Sequence, residues 1–133
     1  MRVFLDTNVL VSAFATRGLC ADVVRHVLTE HTLVTGEVVL DELRRVLRTR
    51  LRLPARRIED IERFLREQEV VGKPGKPSVL KVRDPDDAWV LATAEAAKVD
   101  VLVTNDRDLL DIANEAPLDI VDPRGFWDLL RKR

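Results

Sequence analysis

The sequence has very little cysteine: Cys20 is the single cysteine among 133 residues. One cysteine excludes an internal disulfide, and it also excludes a zinc site built from cysteines. Proteins without disulfides are typical of reducing compartments. We therefore expect a cytoplasmic protein.

The sequence also lacks an apolar run long enough to cross a bilayer. Residues 1–14, MRVFLDTNVLVSAF, resemble a signal segment at first sight. They carry one arginine, however, and then Asp6 in the middle of the apolar run. We interpret this stretch as part of the fold and expect no association with a membrane.

Aromatic residues are few, at 5% of the chain, and four of the six occupy positions typical of a core. Stacking of bases on aromatic rings is a common way to bind single-stranded nucleic acid, and the composition gives it little support. The net charge of −1 argues neither for nor against a nucleic-acid partner, although nine arginines fall within residues 44–66.

A chain of this length fits one domain, which we expect to span residues 1–133. The apolar pattern predicts strands at 3–5, 31–35, 70–71, 99–104 and 118–121, and helices at 8–15, 20–30, 36–51, 55–69, 87–98, 105–113 and 122–132. Strands that alternate with helices predict an α/β fold of three layers, α/β/α, around a mostly parallel sheet of four to five strands.

Acidic residues follow these elements at places that face one edge of the predicted sheet. Asp6 ends the first strand, and Asp106 lies two residues beyond Thr104, where the fourth strand is predicted to end. Asp87 lies in the first turn of its helix, and Glu42 lies in the second turn of its own. Because sites in such sheets form beyond the carboxyl ends of the strands, we expect these four acids to converge.

Each acid also has a simpler explanation. Asp6, Asp106 and Asp108 can cap the helices that follow them, and an acid in a first turn, such as Asp87, is favoured by the helix dipole. Glu42 taken alone is typical of an exposed helix residue. The hypothesis of a site therefore depends on the joint position of the acids at one edge.

Four carboxylates in one place need a cation to hold them together. Two carboxylates about 4 Å apart repel by roughly 4 kcal/mol at an effective dielectric constant of about 20. No histidine or cysteine occurs in these motifs, and oxygen ligands favour Mg²⁺ or Mn²⁺ over zinc. A site of this kind can activate a water molecule and neutralise charge at a phosphodiester.

Three segments, VFLDTNVLVSA, LDELRRVL and DPDDAWVLATAEAAKVDVLVTNDRDLL, together resemble the PIN-domain nucleases, in particular the VapC-like toxins of toxin–antitoxin modules. The resemblance runs over nearly the whole chain. It implies a small α/β/α domain whose acids bind Mg²⁺ or Mn²⁺ and cleave single-stranded RNA. By motif, those acids are Asp6, Glu42, Asp87 and Asp106, and the polar residues that support them are Thr7, Asn8 and Thr104.

Some assignments within these motifs stay open. The stretch VTNDRD leaves Asp106, Asp108 and Asn105 as candidates for the fourth position, with Asp106 preferred. Asp84 and Asp86 compete with Asp87, which we favour because it stands directly before the apolar part of its helix. The following helix caps are also predictions: Thr7 or Asn8 for the helix at 8–15, and Thr35 for the helix that carries Glu42.

The arginines near Glu42 are candidates for RNA phosphate contacts, in particular Arg44, Arg45 and Arg48. The simpler explanation is that they lie on the solvated faces of two amphipathic helices. We assign no role to His26 or His31. The resemblance further implies a homodimer and a small antitoxin protein that blocks the acidic site.

Two other functions compete with a toxin nuclease. The chain can be an RNA-processing PIN nuclease outside a toxin–antitoxin system, or a PIN module that binds RNA or a partner without cutting; the presence of all four acids argues against the second. Phosphoryl transfer through an aspartyl intermediate fits less well, because Asp6 is not followed by a second acid in a DxD pattern and no lysine follows a strand end suitably.

Overall fold

The structure, a computed structural model, describes residues 1–132. Its centre is a sheet of five parallel strands in the order β3-β2-β1-β4-β5. The strands are β1 (Arg2–Leu5), β2 (Thr32–Gly36), β3 (Glu69–Val71), β4 (Val101–Val103) and β5 (Asp119–Val121). The predicted parallel sheet is confirmed, and within the described residues every strand pair in it is parallel.

The helices are α1 (Thr7–Ala15), α2 (Leu19–Glu30), α3 (Glu37–Thr49), α4 (Ala55–Arg66), α5 (Pro85–Ala96), α6 (Arg107–Leu110) and α7 (Pro123–Arg131), with a 3₁₀ turn at Ala113–Glu115. Contacts connect α1 with α2 and α3, α3 with α4, and α2 with α7. With the right-handed crossovers that are general for parallel strands, α1 to α4 lie on one face of the sheet and α5 lies on the other. The three-layer α/β/α prediction is confirmed. Among the residues that the structure describes, no helix combines the length and apolar character needed to span a membrane.

The strand order creates a natural position for a site. The chain leaves β1 towards β2 and β3 on one side, and it returns to β4 and β5 on the other side of β1. The carboxyl ends of β1 and β4 therefore flank the point at which the order reverses, where α/β sheets bind ligands. Leu5 and Val103 are paired at this point, so the residues that follow them are brought side by side.

The sheet supports this edge rigidly because its central strands are apolar throughout. Val3, Phe4 and Leu5 of β1 are fully buried, as are all three residues of β4. Central strands of parallel sheets are covered on both faces, which explains such continuous apolar runs. The apolar residues at the start of the chain thus belong to the core and deliver Asp6 to its edge.

Two predicted helix caps are wrong. Asp6, and not Thr7 or Asn8, caps α1, because its carboxylate accepts a hydrogen bond from the backbone N–H of Thr7. Thr35 does not cap α3: it is buried, its hydroxyl has no hydrogen-bond partner, and the cap position is Gly36.

The predicted helix at 105–113 is shorter in the structure. Asp106 caps it by accepting a hydrogen bond from the backbone N–H of Asp108, so α6 begins at Arg107 and ends at Leu110. A separate 3₁₀ turn at Ala113–Glu115 follows. The fourth strand ends at Val103, one residue earlier than predicted.

Gly36 is required by close packing at the junction of β2 and α3. A Cβ atom there would lie 2.5 Å from the Thr93 Cγ2 atom of α5 and 3.2 Å from the carbonyl oxygen of Val71. We expect Gly36→Ala to lower the free energy of unfolding by about 1–3 kcal/mol, the usual cost of overpacking a core, as measured by urea denaturation. Gly75→Ala is the matched control, because nothing lies within 4 Å of its Cβ position. Equal stability of the two variants would contradict this explanation.

Candidate active site

Asp6 is held in one orientation at the carboxyl end of β1. Its side chain is only 3% exposed. The Oδ1 atom accepts a hydrogen bond from the Thr7 backbone N–H at 2.8 Å, and the Oδ2 atom accepts one from the Thr104 hydroxyl at 2.7 Å and one from the Asn8 amide at 3.3 Å. The predicted supporting positions Asn8 and Thr104 thus contact the first acid directly, whereas Thr7 contacts it through its backbone.

Two side chains connect the turn after β1 to the turn after β4. The Thr104 hydroxyl, which donates to Asp6, also accepts a hydrogen bond from the backbone N–H of Asp106 at 2.9 Å. The side-chain oxygen Oδ1 of Asn8 accepts a hydrogen bond from the backbone N–H of Asn105 at 3.0 Å. These bonds fix the relative position of Asp6 and Asp106 across the reversal of strand order.

Three further acids form what we call the acidic cluster: Asp87, Asp106 and Asp108. One carboxylate oxygen from each lies within 4.8 Å of the other two. Asp87 is only 8% exposed, and its Oδ2 atom is buried without a hydrogen-bond partner. Its competitors are placed differently, since Asp84 caps α5 through the backbone N–H of Asp86 and both are exposed.

Both aspartates predicted as candidates for the fourth position, Asp106 and Asp108, lie close to Asp87. One carboxylate oxygen of Asp106 caps α6, and the same carboxylate also lies beside Asp87. Asn105, by contrast, is exposed and its amide lies 3.9 Å from the Cys20 sulfur.

Glu42 takes a separate place from the acidic cluster. It is half-buried on α3 and lines a pocket with Asp86 and Trp89. Its charge nevertheless acts on Asp6, whose pKa it helps to raise. Of the four acids predicted to converge, Asp87 and Asp106 are in the cluster. Asp6 and Glu42 lie outside it, and the charges of Glu42 and Asp106 both raise the pKa of Asp6.

The pKa values of the buried acids reflect the cost of crowding negative charge. Burial raises the pKa of Asp6 to about 6, against the opposing hydrogen bonds from Thr104 and Thr7, and the charges of Glu42 and Asp106 add to the increase. The pKa of Asp87 is also raised well above its ordinary range, first by burial and then by the adjacent Asp106. A proton on Asp87 relieves its repulsion with Asp106 when no cation is present.

The residues present fit a divalent cation. The acidic cluster offers oxygen ligands only, and the unpartnered Oδ2 atom of Asp87 is a buried acceptor that otherwise costs free energy. Carboxylate sites of this type suit Mg²⁺ and Mn²⁺. A cation would replace the proton on Asp87 and satisfy this oxygen.

Of the three candidate arginines, only Arg45 remains beside the acids. Arg44 is bound to Glu62 of α4, with its Nε atom 2.9 Å from the carboxylate, and to Asp41. Arg48 lines a different groove, formed with Leu53 and residues of α4. Arg45 lines the same pocket as Glu42.

The structure adds two residues to this region that the sequence did not single out. Lys73, from the glycine- and proline-rich loop after β3, places its Nζ atom 4.7 Å from the ring centroid of Trp89 on α5. The signal that points to Trp89 is its position two residues after Asp87, within the first turns of the same helix. Lys73 could not be found this way, because its approach depends on the path of the loop.

The chain belongs to the PIN domain family. The family model of the PIN domain matches residues 2–108, which include all of the acids described above. No protein among the curated sequences matches the chain.

Solved structures with the same fold include toxin–antitoxin proteins. The chain is similar to VapBC-1 from nontypeable Haemophilus influenzae, with a TM-score of 0.66 and 19% identity over 93% of this chain and 99% of that chain. It is similar to VapBC2 from Rickettsia felis, bound to a promoter DNA fragment, with a TM-score of 0.63 and 16% identity over 92% and 98%. A third is VapC20 from Mycobacterium tuberculosis, a toxin that cleaves the sarcin–ricin loop, with a TM-score of 0.59 and 14% identity over 82% and 93%. At these identities the likeness establishes the fold.

The raised pKa values predict how stability depends on pH and on metal. An acid whose pKa is raised on folding binds its proton more tightly in the folded protein than in the unfolded chain. The free energy of unfolding therefore falls as the pH rises from the pKa of the unfolded chain to that of the folded protein. For Asp6 these pKa values are 3.8 and about 6. We expect the melting temperature in EDTA to fall over this range, and Asp87 to extend the decrease to higher pH.

Excess Mg²⁺ should raise the melting temperature more at about pH 8 than at about pH 5, because a cation binds the deprotonated carboxylates. Potassium chloride of equal ionic strength is the control for screening. An equal effect of Mg²⁺ at both pH values would show that these acids do not bind it.

Proposed function

We propose that the chain is a Mg²⁺- or Mn²⁺-dependent endoribonuclease that cleaves single-stranded RNA. The observation that carries the proposal is the acidic cluster, with the buried and unpartnered Oδ2 atom of Asp87, at the reversal of strand order in a PIN domain. Membership of this family supports nuclease activity, and the similar VapC20 is described as a toxin that cleaves the sarcin–ricin loop.

The residues of the site have different roles in this proposal. Asp87, Asp106 and Asp108 would hold the cation, and Asp6 and Glu42 complete the negative surroundings. A bound cation supplies an activated water and neutralises charge on the phosphodiester. The chain itself fixes the ligands: Thr104 holds Asp6 and the backbone of Asp106 at once, and Asn8 ties the two turns together. Such preorganisation keeps the carboxylates in place before RNA binds.

Cleavage of a fluorescently labelled single-stranded RNA tests the proposal. We expect cleavage with Mg²⁺ or Mn²⁺, none with EDTA, and none by Asp6→Asn. Asp128→Asn is the matched control, since Asp128 is an exposed acid on α7 and should cleave like the wild type. Cleavage that persists in EDTA would overturn the metal-dependent mechanism, and cleavage by Asp6→Asn at the wild-type rate would exclude Asp6 from the site.

We further propose that the nuclease is the toxin of a toxin–antitoxin pair, acts in the cytoplasm, and forms a homodimer. Support comes from the fold shared with VapBC proteins. Expression in a bacterium should stop growth, and co-expression of a small protein encoded next to this gene should restore it. Growth arrest that no neighbouring product relieves would favour an RNA-processing nuclease.

Sedimentation equilibrium should give twice the monomer mass, and a monomer would contradict the homodimer.

A further inference from the structure

A pocket opens between α3, the loop after β3 and the first turns of α5, where it is lined by Asp86, the neighbour of Asp87 in the chain. It has a volume of about 250 Å³, slightly below the range of about 300–1,000 Å³ typical of pockets for small molecules. Glu42 forms part of its wall, and the charge of Glu42 also acts on Asp6. We call it the Trp89 pocket.

One wall of this pocket is an aromatic ring. Trp89 is half-buried, and the Lys73 ammonium stands 4.7 Å from its ring centroid. An ammonium in this position indicates that this face of the indole is turned towards the pocket and is not packed in the core. A base that stacks on this face would take the place of the ammonium.

Two cations that form no salt bridge among the described residues also line the pocket. Within residues 1–132, the structure shows no salt bridge for Arg45 or Lys73, although both line the pocket. Arg44, one residue before Arg45, is by contrast held by Glu62 and Asp41. An aromatic ring beside cations that form no salt bridge is a combination with which proteins bind single-stranded nucleic acid.

We propose that the Trp89 pocket binds one nucleotide of the RNA substrate next to the bond that is cut. Its base stacks on Trp89, and its phosphate is bound by Arg45 and Lys73. This inference rests on the proposed function, because it assigns the chain an RNA ligand. The pocket is also lined by three acids, Asp41, Glu42 and Asp86. Arg45 and Lys73 offset part of this negative charge and are the groups that can bind a phosphate there.

Tryptophan fluorescence tests the contact directly. The chain has two tryptophans, and Trp127→Phe leaves Trp89 as the only one; Trp127 packs against His26 and Phe126 on α2 and α7. In EDTA, where no cutting is expected, a single-stranded cytidine octamer should quench this fluorescence. An abasic octamer, which carries the same phosphates without bases, should not.

Affinity is measured separately by the anisotropy of the labelled octamer. We expect Trp89→Leu to weaken binding about 5- to 150-fold, the factor that corresponds to the roughly 1–3 kcal/mol of stacking per base at 1.4 kcal/mol per tenfold. Trp89→Phe should keep most of the affinity because it keeps an aromatic face. Melting curves confirm that each variant is folded, and the quenching experiment needs no change at Trp89.

The outcomes separate this inference from the proposed function. Quenching with weaker binding by Trp89→Leu supports the pocket, even if the protein fails to cut RNA with Mg²⁺. Unchanged fluorescence, equal affinity of Trp89→Leu, or equal quenching by the abasic octamer overturns it, even if metal-dependent cleavage is found. In that case the pocket is left for a side chain of a protein partner.

Discussion

Asp87→Asn is expected to abolish RNA cleavage and, at the same time, to stabilise the metal-free protein. Loss of one ligand from the acidic cluster should lower the cleavage rate at least about 100-fold, since a bound cation contributes several kcal/mol to stabilisation of charge in the transition state. Stability should change in the opposite direction, because Asp87 is buried beside Asp106 with a raised pKa. An asparagine amide can donate a hydrogen bond to Asp106 and carries no charge at any of these pH values.

The gain in the free energy of unfolding should be about 1–3 kcal/mol near pH 8 in EDTA, because each unit by which a pKa is raised corresponds to about 1.4 kcal/mol. It should disappear near pH 4, where the wild-type carboxyl is protonated. Urea denaturation at the two pH values measures it, with Asp128→Asn as the control for removing one negative charge. Reduced activity together with reduced stability at pH 8 would mean that the substitution has only disturbed the fold.

Thr104→Val is expected to have the largest effect among the residues that do not contact a cation. The change removes the hydroxyl that donates to Asp6 and accepts from the backbone N–H of Asp106. A lost hydrogen bond to a charged group costs about 1.5–3 kcal/mol, and the pKa of Asp6 should rise further, since this bond lowers it. We expect lower stability near pH 8 and slower cleavage, measured by urea denaturation and by RNA cleavage.

Two variants control this experiment. Thr104→Ser keeps the hydroxyl and should keep most of the activity. Thr35→Val makes the same chemical change at another fully buried threonine, whose hydroxyl has no partner, so its stability should be unchanged or higher. If Thr35→Val and Thr104→Val lose the same stability, the cost comes from valine in a buried site and not from the hydrogen bonds to the two acids.

The sequence was sufficient to predict the sheet and the place of the first acid. Val3, Phe4 and Leu5 form a short apolar run that ends on Asp6, and the end of a buried parallel strand lies at a known edge. The same reasoning placed Asp106 beyond β4. Strand direction and strand order decide such positions, and both follow from the alternation of strands and helices.

Side-chain partners that come from distant elements could not be predicted in this way. Arg44 resembled its neighbour Arg45 in sequence, yet Glu62 of α4 binds it and leaves Arg45 free. Position 36, which precedes α3, lies so close to Thr93 of α5 that only glycine fits there. Both contacts arise from packing between helices, which the local pattern does not contain.

The fourth acid shows a different limit. A strand end followed by NDRD leaves Asp106 and Asp108 as alternatives, because the motif at this position varies between PIN domains. In the structure Asp106 caps α6 with one oxygen and still lies in the acidic cluster, together with Asp108. A carboxylate has two oxygens, and this allows one residue to do both.

Direct titration of Mn²⁺, followed by the loss of its free electron paramagnetic resonance signal, tests the central claim without reference to activity. The wild type should bind Mn²⁺ saturably near pH 8, Mg²⁺ should compete, and Asp87→Asn should lose this binding while Asp128→Asn retains it. Equal binding of Mn²⁺ by the wild type and Asp87→Asn would contradict a cation site formed by Asp87, Asp106 and Asp108.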